Sequence, residues 1–569
     1  MRGHYLGAIF LAALPYALAQ DVVSFNNETY ANVSGSPYQT FRSNTDLRPP
    51  EFLINRNSSE IATGLVFISV QGKPSSEQNF PGIYEFAGDR MGSLVWSTTN
   101  SDFFDAFDFR MQTYRGEPTL TFWAGELMSG WGLGSFYLLN QSYAEITHFS
   151  PVGHDDGGDI HEFVITADDT ALVAIYPIVQ ANLTGVGGAE DGWIFDGTFQ
   201  EIDIETGDLL FEWNASSHVA INETYGNLDD NGSEDSPFDY FHINSVDKDA
   251  NGDYLISARL THCIYKISGE DGSIIWRMNG RASDFDMDED AVFAWQHDAR
   301  WINSSEQTRM TLFDNGPTDN FEYSRGLLVD VDQEAMTVTL LQDFANLNRT
   351  FGQFKGSTQA IDPANESTNY FVGFGSQPYF AEFDSEGNIL LDVQYGIGNA
   401  ANGYRAYRLP WQGMPITVPD IHYDRNASEV FFSWNGATEV EEWMVYTANE
   451  TNTTSWNNVT TVRRSGFETV VDLSDLELET FIRGKAINST GDTLGWTRAG
   501  NGNDYFDAPE GVETTSTTST TPSATISPPA SSVTDASGSE TTGAAVRAKQ
   551  GWSEQAYIAA VVVVGGLVV

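Results

Sequence analysis

One pattern recurs along this chain and narrows what it can fold into: an apolar strand, a turn built on Asp or Gly, and a second apolar strand that often ends in Trp. Clear copies occupy residues 84–96, 199–213, 264–276 and 380–391, and weaker ones occupy 137–146 and 327–341. Their turns fall near residues 91, 142, 206, 271, 334 and 387, about 50 to 65 residues apart, which leaves room for four strands in each period. Alternation of apolar and polar residues, with no long helical period, makes the class all-β. Six hairpins, each preceded by two more strands, predict a six-bladed β-propeller over residues 61–411, because radial closure leaves few strand edges exposed. With 41% hydrophobic and 13% aromatic residues over 569 positions, there is material for a core of that size.

After about residue 418 the pattern changes. Residues 429–436, 443–446 and 481–491 read as short alternating strands of a separate small β-sandwich over 418–506, similar to a fibronectin type III module. Residues 1–19 carry Arg2, an apolar run and Ala17-Leu18-Ala19, and are expected to be a secretory signal; 20–60 form a polar N-terminal segment. Residues 509–545, rich in Thr, Ser and Pro, are expected to be a glycosylated stalk. Residues 546–569 end in an apolar run from Ala556 to Val569 that is short for a span of about 20 residues and matches a GPI-attachment signal. The expectation is an extracellular protein held to membrane or cell wall by a lipid anchor. Sixteen Asn-x-Ser/Thr sequons fit passage through a glycosylating compartment.

A formal charge of −51, from 28 basic against 79 acidic residues, argues against a nucleic-acid partner. Any cationic cluster stands out on such a background. Histidines head the first strand of three consecutive repeats, at His161, His242 and His297, and first strands line a propeller's channel. They are expected to converge. Arg259 ends the second strand of the middle repeat, while Asn244 and Asn315 add neutral donors for a bound substrate. One guanidinium with three imidazoles suits a compact multi-oxygen anion. A lone strand histidine is more often a core residue, and three histidines are also a zinc set. Repetition at one place in the repeat argues against the first alternative, and Arg259, which repels a cation, against the second. Cys263 is the single cysteine, so neither a disulfide nor a Cys-held zinc is available within the chain. No metal and no cofactor are expected.

Asp239-Tyr-Phe-His242-Ile-Asn244-Ser-Val, Ser257-Ala-Arg259, Gln296-His297 and Phe313-Asp-Asn315-Gly316 resemble the signature of the arylsulfotransferase family, in its fungal secreted branch. The resemblance spans roughly residues 60–410 and implies a six-bladed propeller that moves a sulfuryl group from a phenolic sulfate ester to a phenol without a nucleotide donor. It implies that His297 is transiently sulfated, and that His161, His242 and Arg259 hold and neutralise the sulfate. Bacterial relatives carry a disulfide, which this chain cannot form. Two other functions fit parts of the sequence: a non-catalytic wall-adhesion propeller displayed on a stalk, and a propeller hydrolase, sulfatase or lactonase, which would want a carboxylate-held metal.

Overall fold

The computed structural model describes residues 37–71, 80–154, 156–317, 322–398, 401–453 and 455–507. The expected signal, stalk and attachment signal lie outside the described residues, as do residues 20–36 of the N-terminal segment. Within them the chain is all-β, apart from single 3-10 turns.

Six antiparallel sheets form the larger part. The first joins Asn402–Leu409 to Leu65–Gln71, Pro81–Glu85 and Ser93–Ser97. The second is Phe107–Tyr114, Glu117–Leu127, Gly132–Leu139 and Glu145–Phe149. The third is Phe163–Ile165, Thr170–Ile175, Thr198–Asp203 and Leu209–Asn214. Ile243–Lys248, Tyr254–Ala258, Cys263–Ile267 and Ile274–Met278 make the fourth. His297–Trp301, Arg309–Asp314, Arg325–Asp332 and Thr337–Phe344 make the fifth, edged by Asp286–Met287. Ser357–Ala360, Tyr370–Gly373, Tyr379–Phe383 and Ile389–Gln394 make the sixth. Inner strands of neighbouring sheets touch in cyclic order and the sixth sheet returns to the first, the arrangement of a propeller.

The recurring hairpins are the two outer strands of each sheet, and the Trp that ends several of them has a structural task. Trp96 of the first sheet stacks on Tyr143, in the hairpin turn of the second, with ring centroids 4.9 Å apart. Trp213 Nε1 donates to Gly272 O in the turn of the fourth sheet at 3.1 Å, and Trp276 Nε1 to Gln333 Oε1 in the turn of the fifth at 3.0 Å. All three indoles pack on the next hairpin, and the N–H groups of Trp213 and Trp276 find their partners there, which explains the Trp at this place in the repeat.

Both ends of the ring are locked by strands from distant sequence. Leu65 pairs with Leu409, so the last strand becomes the innermost strand of the first sheet. Leu53–Arg56 adds a fifth strand to the sixth sheet by pairing with Arg56↔Leu391 through Leu53↔Gln394. The propeller therefore begins before residue 61, and 53–56 is not part of a merely polar leader. Ile54, fully buried in that strand, is the reason.

Residues 420–506 form two further sheets. Asp420–Asp424, Glu429–Ser433 and Glu468–Asp472 face a sheet centred on Glu442–Ala448 and Phe481–Ile487, a sandwich whose core holds Phe432 stacked on the buried Trp443 at 5.1 Å. Trp434 is only partly covered. The sandwich leans on the outer hairpins of the first two sheets: Arg464 pairs with Glu85 at 2.8 Å, and Tyr143 Oη donates to Gly436 O at 2.8 Å.

Candidate active site

The three histidines arrive at one end of the channel on consecutive sheets. His161 lies two residues before Phe163–Ile165, His242 immediately before Ile243–Lys248, and His297 opens its strand. Their inner strands are irregular there. His242 and Asp298 have left-handed φ of 58° and 56°, and the ladders of the fourth and fifth sheets slip at Asn244 and Asp298. For non-glycine residues such backbone is costly, and a bulge of this kind re-aims the adjoining side chain. His161 and His242 consequently meet edge to face, with ring centroids 4.6 Å apart.

Each imidazole is oriented through Nδ1. That of His161 is hydrogen-bonded to Asp159, and that of His242 to Asp239 Oδ2 at 2.5 Å. Asp239 sits on a small inserted sheet, paired with Phe195. His297 Nδ1 faces two oxygens, Asn315 Oδ1 at 2.7 Å and Trp295 O at 3.0 Å, so the proton resides on Nδ1. Its Nε2 lone pair accepts the Lys355 backbone N–H at 3.1 Å. Arg259, in the 3-10 turn after Tyr254–Ala258, lies 5.0 Å over the Trp295 ring and donates to Gln353 O at 3.3 Å.

Asn244 and Asn315, expected as donors to a ligand, are fully buried and spend their amides on the protein. Asn244 Nδ2 donates to Gln296 O at 2.7 Å, and Asn315 Nδ2 to Gly352 O at 2.7 Å and Lys355 O at 2.9 Å. Both are positioning residues. Gln296 completes the tie, its Nε2 reaching Ala258 O and Cys263 O at 3.1 Å each, so Asn244, Gln296 and the strand that delivers Arg259 are joined beneath His297.

Below the histidines the channel is closed by a charge network that the sequence motifs did not reveal. Glu162 pairs with Arg300 at 2.5 Å, Arg405 at 3.1 Å and Arg110 at 3.2 Å. Asp108 pairs with Arg405 at 3.0 Å and Arg110 at 3.1 Å, and Asp298 with Arg300 at 3.0 Å. Burial alone would raise the Glu162 carboxyl, but the three guanidiniums outweigh it and hold it well below the usual carboxylate range. The network supports the site directly: Arg405 Nη2 donates to His161 O at 3.1 Å and to Asn244 O at 2.7 Å.

Lys355 also escaped the sequence reading, having no neighbouring motif. Its Nζ donates to Gln71 Oε1 at 2.8 Å and Asn402 Oδ1 at 2.7 Å, and burial pushes its pKa down to about 8. The backbone of the same residue caps His297, so the 352–355 loop lies over its Nε2 nitrogen.

Burial, then the charge of Arg259, holds the His297 imidazole well below its ordinary pKa of 6.5, against the upward pull of the Asn315 hydrogen bond. His242 is lowered too, by burial and by Arg259 and His161, although Asp239 pulls it upward. A lowered pKa keeps an imidazole neutral as pH falls. A rate that needs the His297 lone pair is therefore expected to persist below pH 6.5, and a pH–rate profile of kcat/KM whose acid limb has its midpoint at or above that value would contradict the assignment.

The comparisons with known proteins come to bear on this geometry. The family model described as arylsulfotransferase (ASST) matches residues 110–396, just over half of the chain. No curated protein matches. Among solved structures, a protein of unknown function from Bacteroides caccae is 12% identical with a TM-score of 0.34, over 60% of this chain and 98% of that one. A protein from Lactobacillus plantarum is 11% identical with a TM-score of 0.32, over 72% and 100% of the two chains. The Cps50 (Swd1) β-propeller domain from Myceliophteria thermophila is 10% identical with a TM-score of 0.27, over 57% and 93%. The family match runs from the second sheet through the sixth and takes in His161, His242, Arg259, His297 and Asn315: the chain belongs to the arylsulfotransferase family.

Proposed function

We propose that the protein moves a sulfuryl group from a phenolic sulfate ester to a phenolic acceptor through a sulfated His297, with no nucleotide donor. The observation that carries this reading is the state of His297: a neutral imidazole with its proton held on Nδ1 by Asn315 and Trp295 O, leaving Nε2 as the nucleophile. In the first step the Nε2 lone pair forms a bond to sulfur while the sulfur–aryl oxygen bond breaks. The phenolate leaves with that electron pair, its charge offset by Arg259, and takes its proton from solvent. In the second step an acceptor phenol oxygen bonds to sulfur, the N–S bond breaks and returns its pair to Nε2, and the phenol proton passes to the neutral His242 imidazole, which releases it to solvent. Arg259 neutralises the sulfuryl oxygens throughout, the electrostatic part of the work. Because Lys355 N–H occupies Nε2, that hydrogen bond must be exchanged for sulfur before attack.

A hydrolase that relies on a carboxylate-held metal has less support, since Asp108, Glu162 and Asp298 are each engaged by guanidiniums. The test is incubation of the purified ectodomain with an aryl sulfate and a phenol, with no nucleotide added. Acceptor-dependent release of the donor phenol and appearance of the new ester are expected. Release to water alone would indicate a sulfatase, and no release would indicate a binding protein.

A further inference from the structure

One motif read from the sequence is not used by the sulfuryl site, and the fold gives one of its copies a particular setting. The sequon Asn458-Val459-Thr460 lies on Asn457–Arg463, the edge strand of the larger sheet of the sandwich. Asn458 pairs with Tyr446, and Tyr446 pairs in turn with Arg483, so these side chains share the outer face of that sheet, while Trp443 and Ile482 fill the core beneath. Trp456, two residues before Asn458, falls on the same face. The Arg483 guanidinium lies over the Trp456 ring at 5.1 Å and over the Trp496 ring at 4.1 Å, and Tyr446 meets Trp496 at 4.9 Å.

Arg483 is 1% exposed, makes no ion pair among the described residues, and has no hydrogen-bond partner at Nε or Nη2. Burial pushes its pKa down to about 10. Ring faces are what stabilise this cation, and the indoles keep water from it. Trp456 is itself only half-buried, and among the described residues its one ring-face contact is Arg483, so its other face meets solvent. Beside it Asn458 is exposed, and among the described residues nothing is hydrogen-bonded to its side-chain amide. Other sequons differ. Asn57 Nδ2 donates to Ile389 O at 3.3 Å, and Asn231 Nδ2 to Leu228 O at 3.1 Å. Asn303 also follows a tryptophan by two residues, but that residue, Trp301, packs in the propeller core.

We propose that Asn458 carries an N-linked glycan whose first N-acetylglucosamine rests on the outer face of Trp456 and roofs the ring that shields Arg483. The inference is independent of the transferase reading. Residues two apart on a strand are about 7 Å apart, which puts the indole within reach of the first sugar ring. One face of that sugar is lined by C–H groups, which are partially positive, and the indole face is partially negative. The free Nδ2 lets the sugar attach without breaking a hydrogen bond of the fold. In the attachment, Nδ2 forms a bond to C1 of a sugar supplied as a lipid-linked diphospho-oligosaccharide. The C1–O bond to the diphosphate breaks, the lipid diphosphate leaves with that electron pair, and the amide gives up one proton.

The test uses the ectodomain secreted by a glycosylating eukaryotic host. Mass spectrometry of the peptide containing Asn458 is expected to show N-acetylglucosamine on that residue, and an empty Asn458 overturns the proposal. A double-mutant cycle then separates stacking from mere attachment, using Asn458→Gln, Trp456→Leu and both together. The readout is hydrogen exchange of the backbone amides in strands 442–448 and 457–463. Loss of the glycan should speed exchange roughly fivefold more when Trp456 is present than in Trp456→Leu. Equal effects in the two backgrounds overturn the proposal. Trp456→Phe, which keeps a smaller ring, should retain part of the coupling, and it takes the place of Trp456→Leu in the cycle if thermal melting shows that variant to be unfolded.

Discussion

His297→Asn is expected to lower sulfuryl transfer by a factor on the order of 10⁴ or more, because it removes the proposed nucleophile while leaving His161, His242 and Arg259 in place. Asparagine is polar enough to keep contact with Asn315 and the 352–355 loop, so the fold should survive, but its amide nitrogen has no available lone pair. The companion measurement is the intermediate. Incubated with an aryl sulfate donor and no acceptor, wild type should gain the mass of one sulfuryl group on an acid-labile histidine and lose it when a phenol is added. The variant should show neither. Full activity in His297→Asn would falsify the covalent mechanism even with the propeller and the family intact.

The largest effect on stability is expected at Glu162. Its carboxylate faces Arg110, Arg300 and Arg405, and its side chain is wholly buried. Glu162→Gln preserves the shape and removes the charge, leaving three guanidiniums against Asp108 and Asp298 in a place water cannot reach. Breaking a buried pair from one side costs about 3–5 kcal/mol, far more than the net worth of the pair. It should appear as a lower denaturant midpoint with an unchanged slope. Activity should fall as well, since Arg405 holds the backbone of His161 and Asn244. The exposed Arg115–Glu205 pair offers a control of similar chemistry, at 2.5 Å but half or more exposed on both sides. Glu205→Gln should leave the midpoint where it is, because solvent screens that pair.

Much of this protein is written locally. The alternating strands and Asp/Gly turns of residues 84–96 or 264–276 are short-range patterns, and all six turns read from them are turns between the outer strands of the sheets. His161, His242, Arg259 and His297 were legible for the same reason: each sits at a fixed place beside a recognisable strand. Function words are carried by small motifs, and the motif containing His242, Asn244 and Arg259 survives in one dimension.

What tertiary structure alone decided involves partners far apart in the chain. Nothing local marks 402–409 as the strand that closes the first sheet, or 53–56 as the edge of the sixth, because closure depends on where a ring of sheets ends. Asn244 and Asn315 read as donors for a ligand, but the packing of adjacent sheets turned their amides toward backbone carbonyls. Asp108, Arg110, Glu162, Arg300 and Arg405 look in sequence like ordinary surface charges; only convergence of three inner strands and the residue before a fourth strips their water and makes each the condition of the others' burial. Strand and turn follow from neighbouring residues, whereas burial of charge is a property of the closed ring, and a sequence read residue by residue has no term for it.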